Sequence, residues 1–141
     1  MSQGVSEATP SWMIWVLRAA ATYNIAYGAF MMAMPNAWWD WTGLARPNYP
    51  FLWAGMGMLV LLLGVGYAIV SRDPVRHVGI LIIGTLSKAL AFAGAMHGVL
   101  VEGTLPGVFL AAAVVHDLIW IVPFVLILAH VRRVEARRAR G

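Results

Sequence analysis

The stretch that decides the fold is FLWAGMGMLVLLLGVGYAIV, residues 51–70. It is a continuous run of apolar and small side chains without Asp, Glu, Lys or Arg. A helix of about 20 such residues, rising ~1.5 Å per residue, crosses the ~30 Å hydrocarbon core of a bilayer. Because lipid offers no hydrogen-bond partners to the backbone, the run predicts a transmembrane helix.

Three further segments of similar length flank this one, at residues 12–34, 78–100 and 108–131. The sequence therefore predicts an all-α fold, a four-transmembrane-helix bundle that forms a single membrane domain over residues 1–141. The segment before the first span lacks the basic region of a secretory signal, so we expect that span to be permanent.

The composition fits a chain that is surrounded mostly by lipid. Hydrophobic residues make up 61% of the sequence and charged residues 11%, whereas soluble domains carry about 25% charged residues. The chain has no cysteine, which excludes disulfides, thiol redox chemistry and cysteine-ligated metals. The net charge of +4 is concentrated at the C-terminal end, so we do not expect a nucleic-acid partner.

The distribution of arginines predicts the orientation. With four spans, the N-terminus, the 71–77 loop and the 132–141 tail share one side of the membrane, while Arg46 alone lies on the other. The first side carries Arg72, Arg76, Arg132, Arg133, Arg137, Arg138 and Arg140. Basic loops stay in the cytoplasm, so we expect both termini to be cytoplasmic in a bacterial inner membrane. We also expect the tail to contact anionic lipids.

Small residues indicate which helix faces pack, since close backbone approach drives helix association in lipid. In the second span, Gly57 and Gly64 lie on one face and Gly55 and Gly66 on the other, which predicts tight packing on both sides. The third span carries one stripe at helical spacing, formed by Gly84, Ser87, Lys88, Ala91, Ala95 and Gly98. We therefore expect Lys88 to face the bundle interior.

Ionisable groups within a span are expensive and usually face the bundle interior. Counted by helical rise, Asn24, Lys88 and Asp117 lie at one level near the midplane. We expect Lys88 and Asp117 to pair across the third and fourth spans. Two interpretations remain open: a structural pair that fixes helix register, or a polar site for a ligand head group or a proton.

Other polar residues have competing interpretations. Arg18 either extends to the inner head groups or binds an anionic group. His116 is expected to be a neutral, hydrogen-bonded histidine. His97 lies near the outer interface, ~9 Å from His116 in depth, so we expect neither a bis-histidine haem nor another metal site. Around a ligand head group at Lys88, Asp117 and Asn24 we expect Tyr23, Tyr27, Trp120, His116 and Arg18.

The segment between the first two spans, residues 36–50, is rich in aromatic side chains. It contains Trp38, Trp39, Trp41 and Tyr49. Indole and phenol rings favour the head-group level, which indicates an interfacial segment. The alternative is a lid over a site between the helices.

Several short motifs along the chain, taken together, carry a resemblance to other proteins. They are Tyr23-Asn24, Pro35-Asn36, Asn48-Tyr49-Pro50, Gly66-Tyr67, Asp73-Pro74, Arg76-His77, Gly84, Lys88, Asp117-Leu118-Ile119-Trp120 and Pro123-Phe124. Over residues 20–128 the chain resembles an uncharacterised family of small bacterial four-helix membrane proteins. The resemblance implies that Lys88 and Asp117 are shared features, and it supplies no activity.

Some members of that family carry the label "alkyl hydroperoxide reductase". We do not transfer the label, because such reductases act through cysteine. In size and span number the chain is also loosely similar to DoxX-type proteins, a likeness of architecture alone.

Three classes of function remain at this level, and none specifies a cofactor. The first is a bundle that binds, or acts on, an amphiphilic small molecule such as a quinone or isoprenoid lipid. The second is an accessory subunit or assembly factor of a larger membrane complex, or a homo-oligomer. The third is a small proton-coupled transporter with Asp117 as the coupling group. The sequence has no soluble-enzyme motif and leaves open whether the protein is an enzyme.

Overall fold

A computed structural model describes residues 9–140, and in this range the chain forms helices and no strand. The helices are α1 (Ser11–Ala33), α2 (Ala37–Thr42), α3 (Pro50–Val70), α4 (Val78–Met96), α5 (Val108–Ala113) and α6 (Ile119–Arg138). Two π-helical turns, His97–Val101 and Val114–Leu118, continue α4 and join α5 to α6. The expectation about a signal sequence concerns residues that lie mainly outside the described range.

Three helices are long and apolar enough to cross a membrane by length and composition: Pro50–Val70, Val78–Val101 and Val108–Arg138. The predicted all-α class and membrane character are confirmed at this level. α1 has 23 residues but is not among the three, and it carries polar side chains such as Arg18, Tyr23 and Asn24. Four spans and their orientation stay predictions.

The last helix runs without interruption from Val108 to Arg138. The helix therefore continues beyond residue 131, and the end of the span at that residue stays a prediction. Arg132, Arg133, Arg137 and Arg138 of the predicted tail lie on this continued helix.

α1 and α3 are antiparallel and form the most extensive helix–helix interface in the described chain. Glycines let the two backbones approach: a Cβ added at Gly57 would lie 2.6 Å from the Met31 Cβ, and one added at Gly64 would lie 2.8 Å from the Ile25 backbone nitrogen. On the other face Gly66 meets Ile80, whereas Gly55 has no atom within 4 Å. Packing on both faces is confirmed at three of these glycines and is wrong for Gly55.

The hydrophobic core fills one end of the bundle. We call this the terminal end, because residues 11 and 138 and the 71–77 turn lie there; the opposite end is the α2 end. Fully buried core residues from all four long helices include Leu17, Tyr67, Leu81, Phe124 and Ile127. Tyr67 and Phe124 pack edge to face with ring centroids 4.9 Å apart. Dense packing here closes the terminal end of the bundle interior.

Candidate functional site

Between the core and the α2 end, the four long helices surround a cavity of about 370 Å³. Its polar part is lined by Tyr23, Asn24, Tyr27, Ser87, Lys88, His116 and Asp117. Its remaining walls are apolar, from residues such as Met31, Met56, Val60 and Ala95. A mostly apolar cavity with a few convergent polar groups is the usual form of a small-molecule site.

Lys88 is buried at the polar part of this cavity, with 4% of its surface exposed. Its Nζ donates a hydrogen bond to the His116 carbonyl oxygen at 2.7 Å and lies 3.7 Å from Asp117 Oδ1. The predicted pairing of Lys88 with Asp117 is therefore confirmed as geometry. An ammonium group in this environment needs such partners, because an unpaired charge costs several kcal/mol or more away from water.

His116 and Asp117 lie in the π-helical turn Val114–Leu118. Such turns are rare and occur often at functional sites. Here the turn presents two consecutive side chains to the same cavity. Within the next helix, Pro123 lacks a backbone N–H, so the Ile119 carbonyl loses its usual α-helical donor. The turn was not predicted from the sequence. Pro123, which follows it, is the nearest residue that indicates an irregular helix.

An aromatic group from α1 holds the His116 ring. Tyr23 and Tyr27 lie one turn apart, with centroids 6.1 Å apart and planes 11° from parallel. The Tyr23 hydroxyl is hydrogen-bonded to His116 Nδ1, and the Tyr27 ring stacks on the imidazole at 4.1 Å. The expectation of a hydrogen-bonded His116 is confirmed, and the contacts fix its ring at the cavity wall.

Asn24, the other predicted midplane residue, is 3% exposed. Its Nδ2 donates to the Ala20 carbonyl oxygen at 2.8 Å, one turn back on α1. Asn24 lines the cavity, and its side-chain oxygen is a further hydrogen-bond acceptor.

Six of the eight predicted site residues line the cavity: Tyr23, Asn24, Tyr27, Lys88, His116 and Asp117. Trp120 does not line it and packs on Tyr23, with centroids 5.6 Å apart. Arg18 is exposed, with its guanidinium 5.5 Å from the centre of the Trp15 ring, so the structure does not bring it to the site. His97 lies at the α2 end, exposed and 3.4 Å from Glu102.

Four aromatic side chains cover the α2 end of the cavity, and we call them the aromatic cap: Trp38, Trp39, Trp53 and Phe109. Trp38 packs against Phe109 at 4.9 Å and Trp39 against Trp53 at 5.1 Å. Trp38, Trp53 and Phe109 also line the cavity. The sequence analysis did not predict Trp53 and Phe109 at this site. In the sequence they are recognisable only as aromatic residues near the starts of their helices.

The aromatic segment has features that fit each of its two interpretations, and both stay predictions. Trp38 faces the cavity as a lid residue would, while Trp41 and Tyr49 are 73% and 70% exposed, as interfacial aromatics would be. Gly43, with φ of 69°, ends α2 in the left-handed region, where glycine is favoured.

A surface ion pair links α2 to the chain segment that follows it. Arg46 donates from Nε to Asp40 Oδ1 at 2.6 Å and from Nη2 to Oδ2 at 2.8 Å. These hydrogen bonds and the arginine charge hold the pKa of the Asp40 carboxyl below its usual value. Their two-point geometry restricts the segment that carries Trp38 and Trp39.

The polar part of the cavity offers several hydrogen-bonding groups to a ligand. Lys88 has three N–H donors, of which the His116 carbonyl accepts one. Ser87 and Tyr27, which carry hydroxyl groups, and Asp117, which carries a carboxylate, also line the cavity. The arrangement can hold a polar group with acceptor oxygens beside a flat aromatic wall.

Comparisons of the chain with protein-family models, with curated proteins and with solved structures found no match.

Proposed function

We propose that this protein is a four-span bacterial inner-membrane protein that binds an amphiphilic small molecule, a quinone or a similar isoprenoid lipid. The observation that carries the proposal is the cavity. Its polar groups cluster beside the packed core, its walls are apolar, and aromatic rings cover its other end. Such a site matches a molecule with a compact polar head and an apolar body.

Charge balance favours a neutral head group. Lys88 is the cationic residue among the cavity-lining side chains, and Asp117 lies 3.7 Å from it. A phosphate would add at least one negative charge beside that carboxylate, and Arg18 does not line the cavity. A quinone carbonyl accepts hydrogen bonds without adding charge, so Lys88, Ser87 and Tyr27 suit it as donors.

The stacked Tyr27 and His116 rings support a planar head group. Their centroids are 4.1 Å apart and their planes 25° from parallel, and both line the cavity. Flat aromatic faces favour offset stacking on another ring. The Tyr27 and His116 rings therefore offer a quinone ring a stacking surface, whereas a simple acyl chain has no ring to stack on it.

The contacts of α1 support the fourth span. α1 packs antiparallel on α3 from the Ala21–Gly64 level to the Gly28–Gly57 level. If α3 crosses the membrane, α1 lies at the same depths. The arginine distribution favours cytoplasmic termini. Arg18 would then reach from the inner half of α1 toward the head groups, along Trp15.

The end of the last helix supports a second, peripheral interaction with lipid. Arg132, Arg133 and Arg138 are exposed on the helix beyond the apolar part. On the cytoplasmic side they would contact anionic head groups, at about 1 kcal/mol for each arginine near the surface.

The core argues against a proton-coupled transporter. A substrate that entered the cavity would have to cross the closely packed layer around Tyr67, Leu81 and Phe124, which are fully buried. Asp117 is moreover paired with Lys88, whereas a coupling carboxylate needs to bind and release its proton.

A purification experiment tests binding directly. The protein is extracted in a mild detergent, and its bound lipids and co-eluting chains are identified by mass spectrometry. We expect a neutral isoprenoid molecule near one per chain. A stable protein partner without a bound amphiphile would instead favour the accessory-subunit function.

A matched pair of variants localises the ligand. Ala91→Phe places a ring in the cavity, and Ala93→Phe places the same ring on an exposed face of the same helix outside it. We expect the first variant to lose the bound molecule and the second to keep it. Equal retention by both variants would place the ligand elsewhere and refute the proposed site.

A further inference from the structure

A second apolar recess lies on the outside of the bundle between α3 and α4. It is a groove of about 370 Å³, lined by Leu59, Leu62, Leu63, Gly66, Ile80, Ile83 and Ser87. We call it the α3–α4 groove. Leu62 and Ile83 on its rim are 55% and 63% exposed, so in a bilayer the groove faces lipid.

The α3–α4 groove and the cavity share part of their lining. Leu59, Leu63 and Ser87 border both, and Ser87 precedes Lys88 on α4. The two spaces are therefore adjacent beside the polar part of the cavity, with these side chains between them.

The other ways out of the cavity are occupied by packed side chains or backbone. The core closes the terminal end and the aromatic cap covers the α2 end. Along α1 and α3 the glycine contacts bring the backbones together. Between α1 and the last helix, Tyr23 packs against both His116 and Trp120.

The remaining helix pair is joined at the same level. The hydrogen bond from Lys88 to the His116 carbonyl links α4 to the last helix. The cavity-lining residues that are exposed, Met56, Leu59 and Ala91, belong to α3 and α4, so the cavity opens toward the bilayer between these two helices.

From this geometry we infer that the α3–α4 groove holds the hydrocarbon chain of the ligand whose head group occupies the cavity. The inference rests on the proposed function. A cavity of about 370 Å³ is near the small end of ligand sites, which run from ~300 to ~1,000 Å³. It has room for a ring and little more, so a polyisoprenoid chain must continue outside it.

The groove sets the path of the hydrocarbon chain but contributes little to the free energy of binding. A chain that leaves the bilayer for the groove exchanges one apolar environment for another, so it gains no hydrophobic free energy from water. Blocking the groove should therefore act sterically, and it should penalise long-chain ligands selectively.

Two quinones with the same head group test this, one with a polyisoprenoid chain and one with a methyl group in its place. Leu62→Trp and Ile83→Trp fill the groove. Leu86→Trp is the control, since Leu86 is 56% exposed on α4 and lines neither space. Binding is measured in nanodiscs by quenching of tryptophan fluorescence, and each variant's fold is checked by circular dichroism.

We expect each groove variant to weaken binding of the long-chain quinone by about tenfold or more, the order of an overpacking penalty. Binding of the short quinone should change less than about twofold, and the control should bind both quinones as the wild type does. Groove variants that bind the long-chain quinone normally, or that lose both quinones equally, would overturn the inference. A wild-type protein that binds neither quinone would instead refute the proposed function.

Discussion

The Nζ atom of Lys88 on α4 lies 2.7 Å from the backbone carbonyl oxygen of His116 on the last helix. The lysine is thus hydrogen-bonded to the backbone of the π-helical turn and paired with the side chain of Asp117 in the same turn. A carbonyl cannot change its charge or rotate away, so this contact keeps Lys88 in place whatever the state of Asp117. It also couples the shape of the turn to the presence of the lysine.

The α1–α3 interface gives a prediction with a built-in control. A Cβ at Gly57 would lie 2.6 Å from the Met31 Cβ and 2.8 Å from the Gly28 carbonyl oxygen, whereas Gly55 has open space around it. We expect Gly57→Ala to lower the free energy of unfolding by about 1–3 kcal/mol through overpacking. Gly55→Ala should be neutral or stabilise by up to ~1 kcal/mol, from helix propensity. Unfolding by SDS, followed by circular dichroism, measures both; equal effects would contradict the interface.

The pair of Asp40 and Arg46 predicts a pH dependence outside the membrane. Hydrogen bonds from Arg46 keep the pKa of Asp40 below its usual value in the folded protein. A lowered carboxyl pKa gives a stabilising contribution that is present above the unfolded-state pKa and is lost as pH falls through the folded-state pKa. We therefore expect the chain segment after α2 to lose this stabilising contribution only at acidic pH, where Asp40 becomes protonated.

Carbon-13 NMR of the Asp40 carboxyl measures that titration. In Arg46→Gln the Asp40 pKa should return toward the ordinary aspartate value. High salt should produce a similar but smaller change, because the pair is exposed and screened. A wild-type Asp40 that titrates as in Arg46→Gln would show that the pair does not form in solution.

Much of the helical layout could be predicted from sequence because hydropathy and glycine spacing are local signals. Residues 51–70 correspond to the helix Pro50–Val70, and Gly57 and Gly64 mark its packed face. The end of the last helix could not be predicted in this way. The arginines after residue 131 end the hydrophobic run, but they are good helix formers, so the helix continues to Arg138.

The site was predictable where charge in lipid demands a partner. The free-energy cost of an unpaired charge in lipid predicted that Lys88 and Asp117 approach each other, although they are far apart in sequence. The π-helical turn, the aromatic cap and the cavity depend on side-chain packing among several helices. No spacing rule in one helix encodes that packing, so Trp53 and Phe109 gave no sign of their position.

The absence of cysteine makes the topology testable by single-cysteine labelling. Thr104→Cys and Ala139→Cys are exposed positions at opposite ends of the bundle. With cytoplasmic termini, a membrane-impermeant maleimide should label residue 104 in intact cells and residue 139 only after permeabilisation. The reverse pattern would invert the orientation. Labelling of both positions in intact cells would place both outside, with an even number of spans between them, and would contradict a single span over residues 108–131.

The helical tail predicts a graded interaction with anionic membranes. A peptide of residues 132–141 should bind vesicles that contain anionic lipid, and each of its five arginines should contribute about 1 kcal/mol at low salt. Replacing all five by glutamine should remove most of that binding, and raising the salt should weaken the wild-type peptide. Equal partitioning of the two peptides would exclude an electrostatic role for the tail.

The last prediction separates structure from function at Lys88 and Asp117. Each single change, Lys88→Met or Asp117→Leu, leaves one polar partner buried without the other, and we expect a loss of about 3–5 kcal/mol in the free energy of unfolding. The double variant replaces both by apolar side chains and should recover most of that loss. If the pair only holds the helices, the double variant also binds the quinone normally. If the pair serves the ligand, as we propose, the double variant is folded but fails to bind, since the Lys88 donor is gone. Single variants as stable as the wild type would show that the ion pair, 3.7 Å long in the structure, does not support the fold.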